Sequence, residues 1–468
     1  TFQLKLRTWF DDKDDKIASD VQFETFDQYI DHFNNTNVDK FKQRYLANNT
    51  FYKQGGPLIV MIGGEGTLSE KFLSGAYSIS YFAKELNGFQ LALEHRYYGK
   101  SLPFADLQDM RFLSSKQALA DLAEFISAMK TKYNLEKAKV IVTGGSYSGN
   151  LAGWARSQFP FLIDAAVATS GPSLGLLDFT QYMSHAQQVL QQIDQKCFNY
   201  TDIALQEAFS LLETDQELFK QIFKAELPSP VTDLDKSVIE SVLSTNLIGN
   251  IQYYNAPGFD GTEFIGTLQE QCKAQFGDLN EESTNMAILE AYAAQNPLTE
   301  YNLSYQSQID ELKELTPENS AGRSWFYQTC TEFGYYQAAD HTIFGPHNTL
   351  KSQLKMCYDV FFNKLFEDDE QLTKTQKMVD EQVEFTNAWY GARNQPRDKI
   401  IYTNGKIDPW SELSIVKEKT WADGQYVPEE TLVIWIEQGS HCTDMYMRWK
   451  INDKVREQQL QKLNEWIK

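Results

Sequence analysis

The sequence lacks several features that mark whole classes of protein. No stretch approaches the roughly 18 consecutive apolar residues of a membrane-spanning helix. Basic residues number 43 against 64 acidic ones, and the net charge of −21 argues against a surface built to neutralise nucleic-acid phosphates. Neither a CxxC nor an HExxH motif occurs, so we predict no metal site. We therefore expect no membrane, no nucleic acid and no metal among the partners of this chain.

Cysteine is scarce, and the five residues of this type leave at least one thiol unpaired within the chain. For a secreted protein, two disulfides and one free thiol are the natural expectation. Residue 1 is Thr and no basic and apolar leader follows it, so we expect that a signal peptide was removed or never existed. Four Asn-x-Ser/Thr sequons add weak support for secretion and are the predicted glycosylation sites: Asn34, Asn48, Asn199 and Asn302.

The 468 residues are 42% hydrophobic, enough to bury a large core, and the sequence pattern changes along the chain. Up to about residue 175, short apolar runs alternate with segments of helical spacing, which predicts a parallel sheet covered on both faces. The run Pro57–Ile62 ends at two glycines, and the run 139–143 leads directly into Ser146. We predict strands at 57–62, 89–94, 139–143 and 165–170, and helices at 115–133 and about 147–157.

Long amphipathic segments replace the strands in the middle of the chain, and strand-like runs are few there. Apolar runs typical of strands return at 399–403 and 431–436, and a closing helix follows at 453–467. The middle of the chain is therefore expected to be an insertion into a core that resumes after it. The predicted divisions are a first core part at 1–175, a mostly helical cap at 176–384 and a second core part at 385–468.

The segment Gly144-Gly-Ser-Tyr-Ser-Gly149 has the character of a nucleophile elbow, a sharp strand-to-helix turn that exposes a serine hydroxyl. Small residues flank Ser146 because the chain closes on itself at such a turn. The usual pattern is G-x-S-x-G, and here Ser148 stands where the second glycine is expected. A plain glycine-rich turn, or one that binds phosphate, is the alternative, and Ser148 as the nucleophile is a minor one. We interpret Ser146 as the nucleophile of an acyl transfer.

Candidates for the base and the acid come in the order that an α/β-hydrolase requires: serine, then acid, then histidine. Only six histidines exist, and His441 lies five residues after an apolar strand. Asp408 lies five residues after the strand before that one. A single late histidine is more often a surface residue, but three candidates in order, each after a strand, favour a Ser-His-Asp triad. Asp444 is the rival acid, although its place beside His441 suits a residue that tethers the local loop.

The oxyanion formed in such a reaction needs backbone N–H donors. We predict the N–H of Tyr147, the residue after the nucleophile, as the first donor. The second is expected from the loop Gly63–Gly66, where glycines let the backbone approach a substrate, and Gly64 and Glu65 are the predicted residues. An ordinary glycine turn is the alternative for this loop.

Six blocks of sequence, taken in order, form a recognisable set. The longest is Glu94-His-Arg-Tyr-Tyr-Gly-Lys-Ser101, and the others are Gln28–Phe33, the GGSY motif around Ser146, Arg323–Phe333, Asn404–Trp410 and Gly439–Cys442. Together they resemble the proline-directed serine peptidases, the family of lysosomal prolyl carboxypeptidase, dipeptidyl peptidase II and thymus-specific serine protease. The resemblance spans nearly the whole chain and is closest to the thymus-specific branch.

The resemblance implies an α/β-hydrolase core with a helical cap and no cofactor. It selects the same three triad residues that order and context indicate. It also implies a pairing for four of the cysteines, whereas further cysteines of the thymus-specific branch are missing here. The implied residues are the triad Ser146, Asp408 and His441, the disulfides Cys197–Cys272 and Cys330–Cys357, and a free Cys442 beside the histidine.

The proline pocket of the family maps onto Asn150, Trp410 and Tyr335 in this sequence. In the prolyl carboxypeptidase branch the first and last of these positions hold large thioethers, so the pocket here is expected to be more polar and differently shaped. A preference for proline is therefore an open expectation. Glu332 and Glu65 are candidates to bind a substrate ammonium group, which would favour removal of dipeptides. The alternative for each is a buried, hydrogen-bonded carboxylate.

These expectations describe a serine exopeptidase that cuts short peptides, either a carboxypeptidase or a dipeptidyl peptidase, with a cap that restricts entry to chain ends. An esterase or lipase on the same fold is one alternative, and a non-catalytic binding protein is another. Peptides are the expected partners, and a homodimer is left open. We expect a glycoprotein of the secretory pathway, lysosomal or extracellular.

Overall fold

The computed structural model describes residues 21–253, 268–363, 370–395, 398–416, 429–449 and 452–468. A large sheet lies at its centre, and a two-stranded sheet lies in the inserted region. The large sheet contains β1 (Phe23–Tyr29), β2 (Lys40–Asn48), β3 (Leu58–Ile62), β4 (Phe89–Leu93), β5 (Val140–Gly145), β6 (Ala165–Thr169), β9 (Ile400–Gly405) and β10 (Leu432–Ile436), and the small one contains β7 (Leu176–Asp178) and β8 (Gly334–Tyr336).

The strands of the large sheet lie in the order β1-β2-β4-β3-β5-β6-β9-β10. From β4 to β10 all neighbours are parallel, while β1, β2 and β4 pair antiparallel at one edge. Parallel strands place their carboxyl ends, and the loops that follow, at the same edge of a sheet. The loops after β5, β9 and β10, which carry the predicted triad, therefore open on one side of the molecule.

The predicted strands of the core are confirmed, but β1 and β2 were not predicted. Polar side chains in the interior hide their apolar pattern: Gln28 of β1 and Gln43 of β2 are both fully buried. The Nε2 of Gln28 donates to Gln43 Oε1 at 3.0 Å, and the Nε2 of Gln43 donates to the carbonyl of Glu94 at 2.8 Å. Because these amides stand among buried apolar residues such as Phe41 and Tyr45, the hairpin shows little hydrophobic alternation.

Four helices pack around the sheet, and ten belong to the inserted region, among the residues that the structure describes. The predicted helix 115–133 is confirmed, and its expected apolar face is buried from Leu119 to Met129. The core helices are α1 (Ser78–Leu86), α2 (Ser115–Lys132), α3 (Tyr147–Gln158) and α14 (Asp453–Trp466). The inserted helices are α4 (Thr180–Ile193), α5 (Gln195–Thr214), α6 (Gln216–Phe223), α7 (Asp233–Gln252), α8 (Leu268–Phe276), α9 (Asn285–Gln295), α10 (Tyr305–Lys313), α11 (Ser320–Gln328), α12 (Leu350–Cys357) and α13 (Gln371–Tyr390).

These elements form an α/β-hydrolase core with a helical cap, so the predicted fold class is confirmed. The inserted region begins at β7, and α13 crosses the predicted division at residue 384 without a break. The last residue of α13, Tyr390, stacks on Trp154 of α3 with the ring centroids 3.8 Å apart. The cap thus returns to the core by a helix that ends directly on the helix of the predicted nucleophile.

Two disulfides hold the cap, as predicted. Cys197–Cys272 joins α5 to α8, with the Cα atoms 5.5 Å apart. Cys330–Cys357 joins the turn after α11 to the end of α12, with the Cα atoms 5.9 Å apart. Cys442 is free and buried. No helix in the described part of the chain is long and apolar enough to cross a membrane, and no group of three potential metal ligands occurs there.

The four sequons differ in their exposure. Asn34, Asn199 and Asn302 are exposed. Asn48 is only 8% exposed, and its Nδ2, the atom that would carry a glycan, donates to the carbonyl of Leu73 at 2.9 Å. A glycan at that nitrogen would break a buried hydrogen bond and collide with the surrounding chain. The prediction of a glycan at Asn48 is therefore corrected, because the asparagine points inward at the end of β2.

Candidate active site

Ser146 lies between the end of β5 and the start of α3, at the turn predicted from the sequence. Its φ of 58° and ψ of −132° are rare for a residue with a side chain, and strain of this kind is typical of functional turns. Gly144 and Gly149 near this turn are required because a side chain at either position would collide with the backbone. A Cβ at Gly144 would lie 2.1 Å from the carbonyl oxygen of Ser148, and one at Gly149 would lie 2.6 Å from that of Thr169.

Ser148, which replaces the second glycine of the usual pattern, is engaged with the elbow itself. Its Oγ donates to the carbonyl of Gly145 at 2.8 Å and accepts from the N–H of Gly145 at 3.0 Å. The hydroxyl thus bridges both backbone groups of one residue and closes the turn. This geometry explains how the elbow forms without the glycine, and it argues against Ser148 as the nucleophile.

His441 and Asp408 meet in the loops after β10 and β9. The Nδ1 of His441 lies 2.7 Å from Asp408 Oδ2, and both side chains are buried. The other carboxylate oxygen of Asp408 accepts from the N–H of Trp410 at 3.0 Å, so the carboxylate is fixed in orientation. The N–H of His441 donates to the carbonyl of Gln252 at 2.8 Å, which ties this loop to the end of cap helix α7.

Two opposing effects act on the imidazole of His441. Burial lowers its pKa, but the charge and hydrogen bond of Asp408, together with Cys442, raise the pKa well above its usual value. A nearby carboxylate stabilises the imidazolium that forms when the ring accepts a proton. This arrangement can therefore take a proton from a serine hydroxyl and return it to a leaving group.

Asp444, the alternative candidate for the triad acid, forms hydrogen bonds with residues of β6 and α14. Its Oδ2 accepts from Thr169 Oγ1 at 3.0 Å and from Gln459 Nε2 at 2.7 Å, which links the histidine loop to β6 and to α14. Burial raises its pKa, and the hydrogen bonds oppose that effect. The predicted role of Asp444 as a tether of the local loop agrees with these contacts.

The predicted oxyanion donors lie around the elbow. Tyr147 is the first residue of α3, and a Cβ placed on Gly64 would lie 3.5 Å from the side chain of Ser148, so the Gly63–Gly66 loop packs against the elbow. Glu65 in this loop is half-buried and interacts electrostatically with Tyr253, whose ring packs edge-on against His441. The loop therefore lies beside the serine turn.

The side chain of Tyr147 is held by residues that sequence reasoning missed. Its hydroxyl accepts from Gln328 Nε2 at 3.0 Å and lies 3.0 Å from His95 Nε2. Both partners lie within blocks that carry the family resemblance, which is the signal that could have found them. Gln252 and Tyr253 at the end of α7 were also missed, and no motif in the sequence marks them.

The three residues of the predicted proline pocket come together. The Asn150 Nδ2 and the Tyr335 hydroxyl both donate to the carbonyl of Pro172, at 3.1 and 2.6 Å. The rings of Tyr335 and Trp410 meet edge to face with their centroids 5.3 Å apart. Tyr335 has a φ of 62°, which is an outlier for an aromatic residue and holds its ring in this position. The wall is aromatic, and the Asn150 amide nitrogen and the Tyr335 hydroxyl are paired with the backbone. The Asn150 Oδ1 atom is buried and accepts no hydrogen bond within the described residues.

Glu332 is buried and its carboxylate is engaged by the protein. One oxygen accepts from Ser115 Oγ at 2.6 Å, and the other accepts from Gln328 Nε2 at 2.9 Å. The N–H of Ser115, in the first turn of α2, also donates to both oxygens. Burial raises the pKa of Glu332, whereas these bonds and the nearby Lys116 lower it. The carboxylate thus caps α2, which matches the alternative of a buried, hydrogen-bonded group.

The fold and these loops define a class: an α/β-hydrolase with a serine at its elbow and a buried histidine–carboxylate pair beside it. The sequence matches the family described as Serine carboxypeptidase S28 over residues 28–458, and the chain belongs to that family. Thymus-specific serine protease of Homo sapiens is 30% identical over 440 residues, covering 90% of this chain and 80% of that protein. Lysosomal Pro-X carboxypeptidase of Homo sapiens is 27% identical over 473 residues, covering 97% and 89%. The chain is a serine-type peptidase.

Proposed function

We propose that this peptidase is an exopeptidase acting on short peptides through a Ser146–His441–Asp408 triad. The observation that carries the proposal is the buried 2.7 Å contact between His441 and Asp408, held at the same edge of the sheet as the strained turn of Ser146. Each residue follows a different parallel strand, which is how α/β-hydrolases assemble a triad from distant parts of the chain.

The mechanism follows from the orientation of the imidazole. Asp408 holds the Nδ1–H of His441, which leaves Nε2 free of hydrogen and able to accept the Ser146 proton. As that proton moves, the Ser146 oxygen forms a bond to the peptide carbonyl carbon, and the carbonyl oxygen becomes an oxyanion. The N–H of Tyr147 and the Gly64–Glu65 loop stabilise this charge.

Collapse of the tetrahedral intermediate breaks the C–N bond, and His441 gives its proton to the leaving amine. The product is an ester between the acyl part of the peptide and Ser146. Water then attacks this ester, with His441 again accepting a proton, and the cycle ends with a free carboxylic acid and a free serine hydroxyl. Every proton passes through the same Nε2 atom.

The pocket and the cap support a preference for chain ends and for a compact residue next to the cut bond. Tyr335 and Trp410 give that pocket an aromatic wall. The name of the lysosomal relative refers to cleavage after proline, and an aromatic wall suits the flat pyrrolidine ring. Glu65 is the better candidate to bind an ammonium group, since Glu332 is already held by Ser115 and Gln328. Cleavage from either end of a peptide is compatible with this geometry.

The setting of the enzyme is proposed on separate grounds. Two disulfides and three exposed sequons suit an oxidising compartment. The lysosomal name of one relative points the same way. We propose a secretory-pathway glycoprotein, lysosomal or extracellular, with peptides as its partners and a homodimer as an open alternative.

The test is mass spectrometry of a defined peptide mixture incubated with the protein at about pH 5 and about pH 7. The mixture contains peptides with proline second from either end. Loss of one residue after a penultimate proline identifies a carboxypeptidase, and loss of an amino-terminal dipeptide identifies a dipeptidyl peptidase. Cleavage of ester substrates with no peptide cleavage would overturn the proposal in favour of an esterase.

The matched variants are Ser146→Ala and Ser148→Ala. We expect the first to abolish turnover and labelling by a fluorophosphonate probe while the protein stays folded. The second loses the bridge to Gly145, so it should lower stability yet retain labelling and turnover. Full activity in Ser146→Ala, or loss of labelling only in Ser148→Ala, would contradict the assignment of the nucleophile.

A further inference from the structure

The cap contains a cavity of about 440 Å³ that the mechanism does not use. We call it the cap cavity. It lies between α7, α10, α11 and α12, and its volume falls in the range of pockets that enclose drug-sized molecules. Much of its lining is apolar or aromatic, including Met183, Val242, Tyr305, Phe326 and Met356.

The cap cavity adjoins the predicted proline pocket. Tyr335 lines the cavity, and the same residue packs edge-on against Trp410 in the pocket. Met183 also lines the cavity and follows Tyr182, whose ring contacts Trp410 with the centroids 5.5 Å apart. The two spaces therefore share the wall that Tyr335 and its neighbours form.

The charge and hydrogen-bonding groups of the lining limit what it can hold. Glu300 and Glu311 line the cavity, and no Lys, Arg or His is among the described residues that do so. The lining thus favours neutral or cationic groups and disfavours carboxylates, which an acidic wall repels.

We propose that the cap cavity is a distal subsite for the part of a peptide substrate that lies on the amino side of the cut bond. That part carries backbone N–H groups and ends in an ammonium group, and both suit the two glutamates. The carboxyl end of a peptide would instead bring a negative charge to an acidic wall. This inference rests on the proposed peptidase function and adds where the substrate extends.

The experiment uses a peptide series with a constant carboxyl-terminal sequence, lengthened at the amino end by neutral residues. Each member is made with a free amino terminus and with a succinylated, anionic one. Val242→Trp fills the cavity, and Val242→Ala at the same position leaves it open. In the wild-type protein we expect kcat/KM to rise about tenfold with length, equivalent to about 1.4 kcal/mol, for the free amino series only.

Val242→Trp should abolish this rise while the shortest peptide keeps its kcat/KM within about twofold, and Val242→Ala should retain the rise. A kcat/KM that does not change with length, or a rise that survives Val242→Trp, would overturn the subsite. Because a large side chain can disturb folding, Glu311→Lys gives a second measurement. It should reduce the preference for the free amino series over the succinylated one, and an unchanged preference contradicts the proposal.

The proposed function and the subsite fail in different ways. Labelling of Ser146 by a fluorophosphonate probe and hydrolysis of the shortest peptide test the triad alone. Loss of both in the wild-type protein would reject the peptidase mechanism and the subsite with it. Normal labelling and hydrolysis without dependence on length or terminal charge would reject only the subsite.

Discussion

Replacement of Asp408 by asparagine tests the environment of His441 most directly, because the surrounding contacts determine which way the new amide must face. Asp408 Oδ1 accepts from the N–H of Trp410, and Oδ2 faces the Nδ1 of His441. In Asp408→Asn, the amide oxygen has to remain with the Trp410 N–H, since an NH₂ group there would meet another donor. The NH₂ group is then directed at the imidazole.

The expected consequence is that His441 adopts the tautomer that cannot act as the base. An NH₂ group facing Nδ1 requires that atom to accept, which moves the imidazole proton to Nε2. A protonated Nε2 cannot remove the proton of Ser146, so we expect kcat to fall roughly 10⁴-fold, as in other triads. That factor corresponds to about 5.4 kcal/mol of transition-state stabilisation. The substitution is nearly isosteric, so the fold and the KM should change little.

The control is Asp444→Asn, which changes an equally buried carboxylate close to the same histidine. Asp444 contacts Thr169 and Gln459, so its loss should lower the free energy of unfolding and leave kcat within about tenfold. The assay is steady-state cleavage of one peptide, normalised by fluorophosphonate titration of active sites. A loss below tenfold in Asp408→Asn, or a larger loss in Asp444→Asn, would refute the assignment of the acid.

Two further predictions concern stability and pH. Arg96 and Asp121 form a fully buried pair with contacts of 2.7 and 2.6 Å, so Asp121→Asn should cost about 3–5 kcal/mol in denaturant unfolding. Asp109 pairs with the exposed Arg111 and is itself partly exposed, so Asp109→Asn should change the midpoint little. Equal effects of the two substitutions would contradict the burial argument. Because Asp408 raises the pKa of His441, kcat/KM should fall as pH is lowered through that pKa, and should be lower at about pH 5 than at about pH 7. Stopped assays across this range check it, and activity that increases toward acid would contradict a neutral histidine as the base.

The sequence allowed the core to be predicted because strong apolar runs lead directly into the residues of interest. The runs before Ser146, Asp408 and His441 became β5, β9 and β10, and the order of the three loops was enough to propose one site. A parallel sheet buried on both faces leaves this clear signal, since its strands are apolar throughout. β5 and β9 are buried inside the sheet, and β10, although it lies at the edge and is partly exposed, is apolar at every position.

Other parts could not be predicted because their positions depend on tertiary contacts. Asn48 lies in a sequon that resembles any other, and only the fold turns its amide toward Leu73. Gln252 meets His441 through a backbone carbonyl at the end of a cap helix, which leaves no trace in residue types. The sequence allows Glu332 to be a substrate contact, and only the fold places Ser115 against its carboxylate. In each case the role of the residue depends on a contact with a distant segment of the chain, and the local sequence does not reveal that contact.

The neighbour relation between β6 and β9 has a consequence for how the enzyme is made. Ala166 and Ile400 are paired in the sheet, yet the whole cap is synthesised between them. Translation produces the elbow of Ser146 before it produces the loops of Asp408 and His441, so the elbow lacks these two proposed partners while the cap is synthesised. If the proposed triad is correct, the capacity to cut peptides should therefore arise only when β9 and β10 join the sheet, after the cap has been synthesised. The order of the elements along the chain would thus prevent proteolysis until the segments that follow the cap have been synthesised.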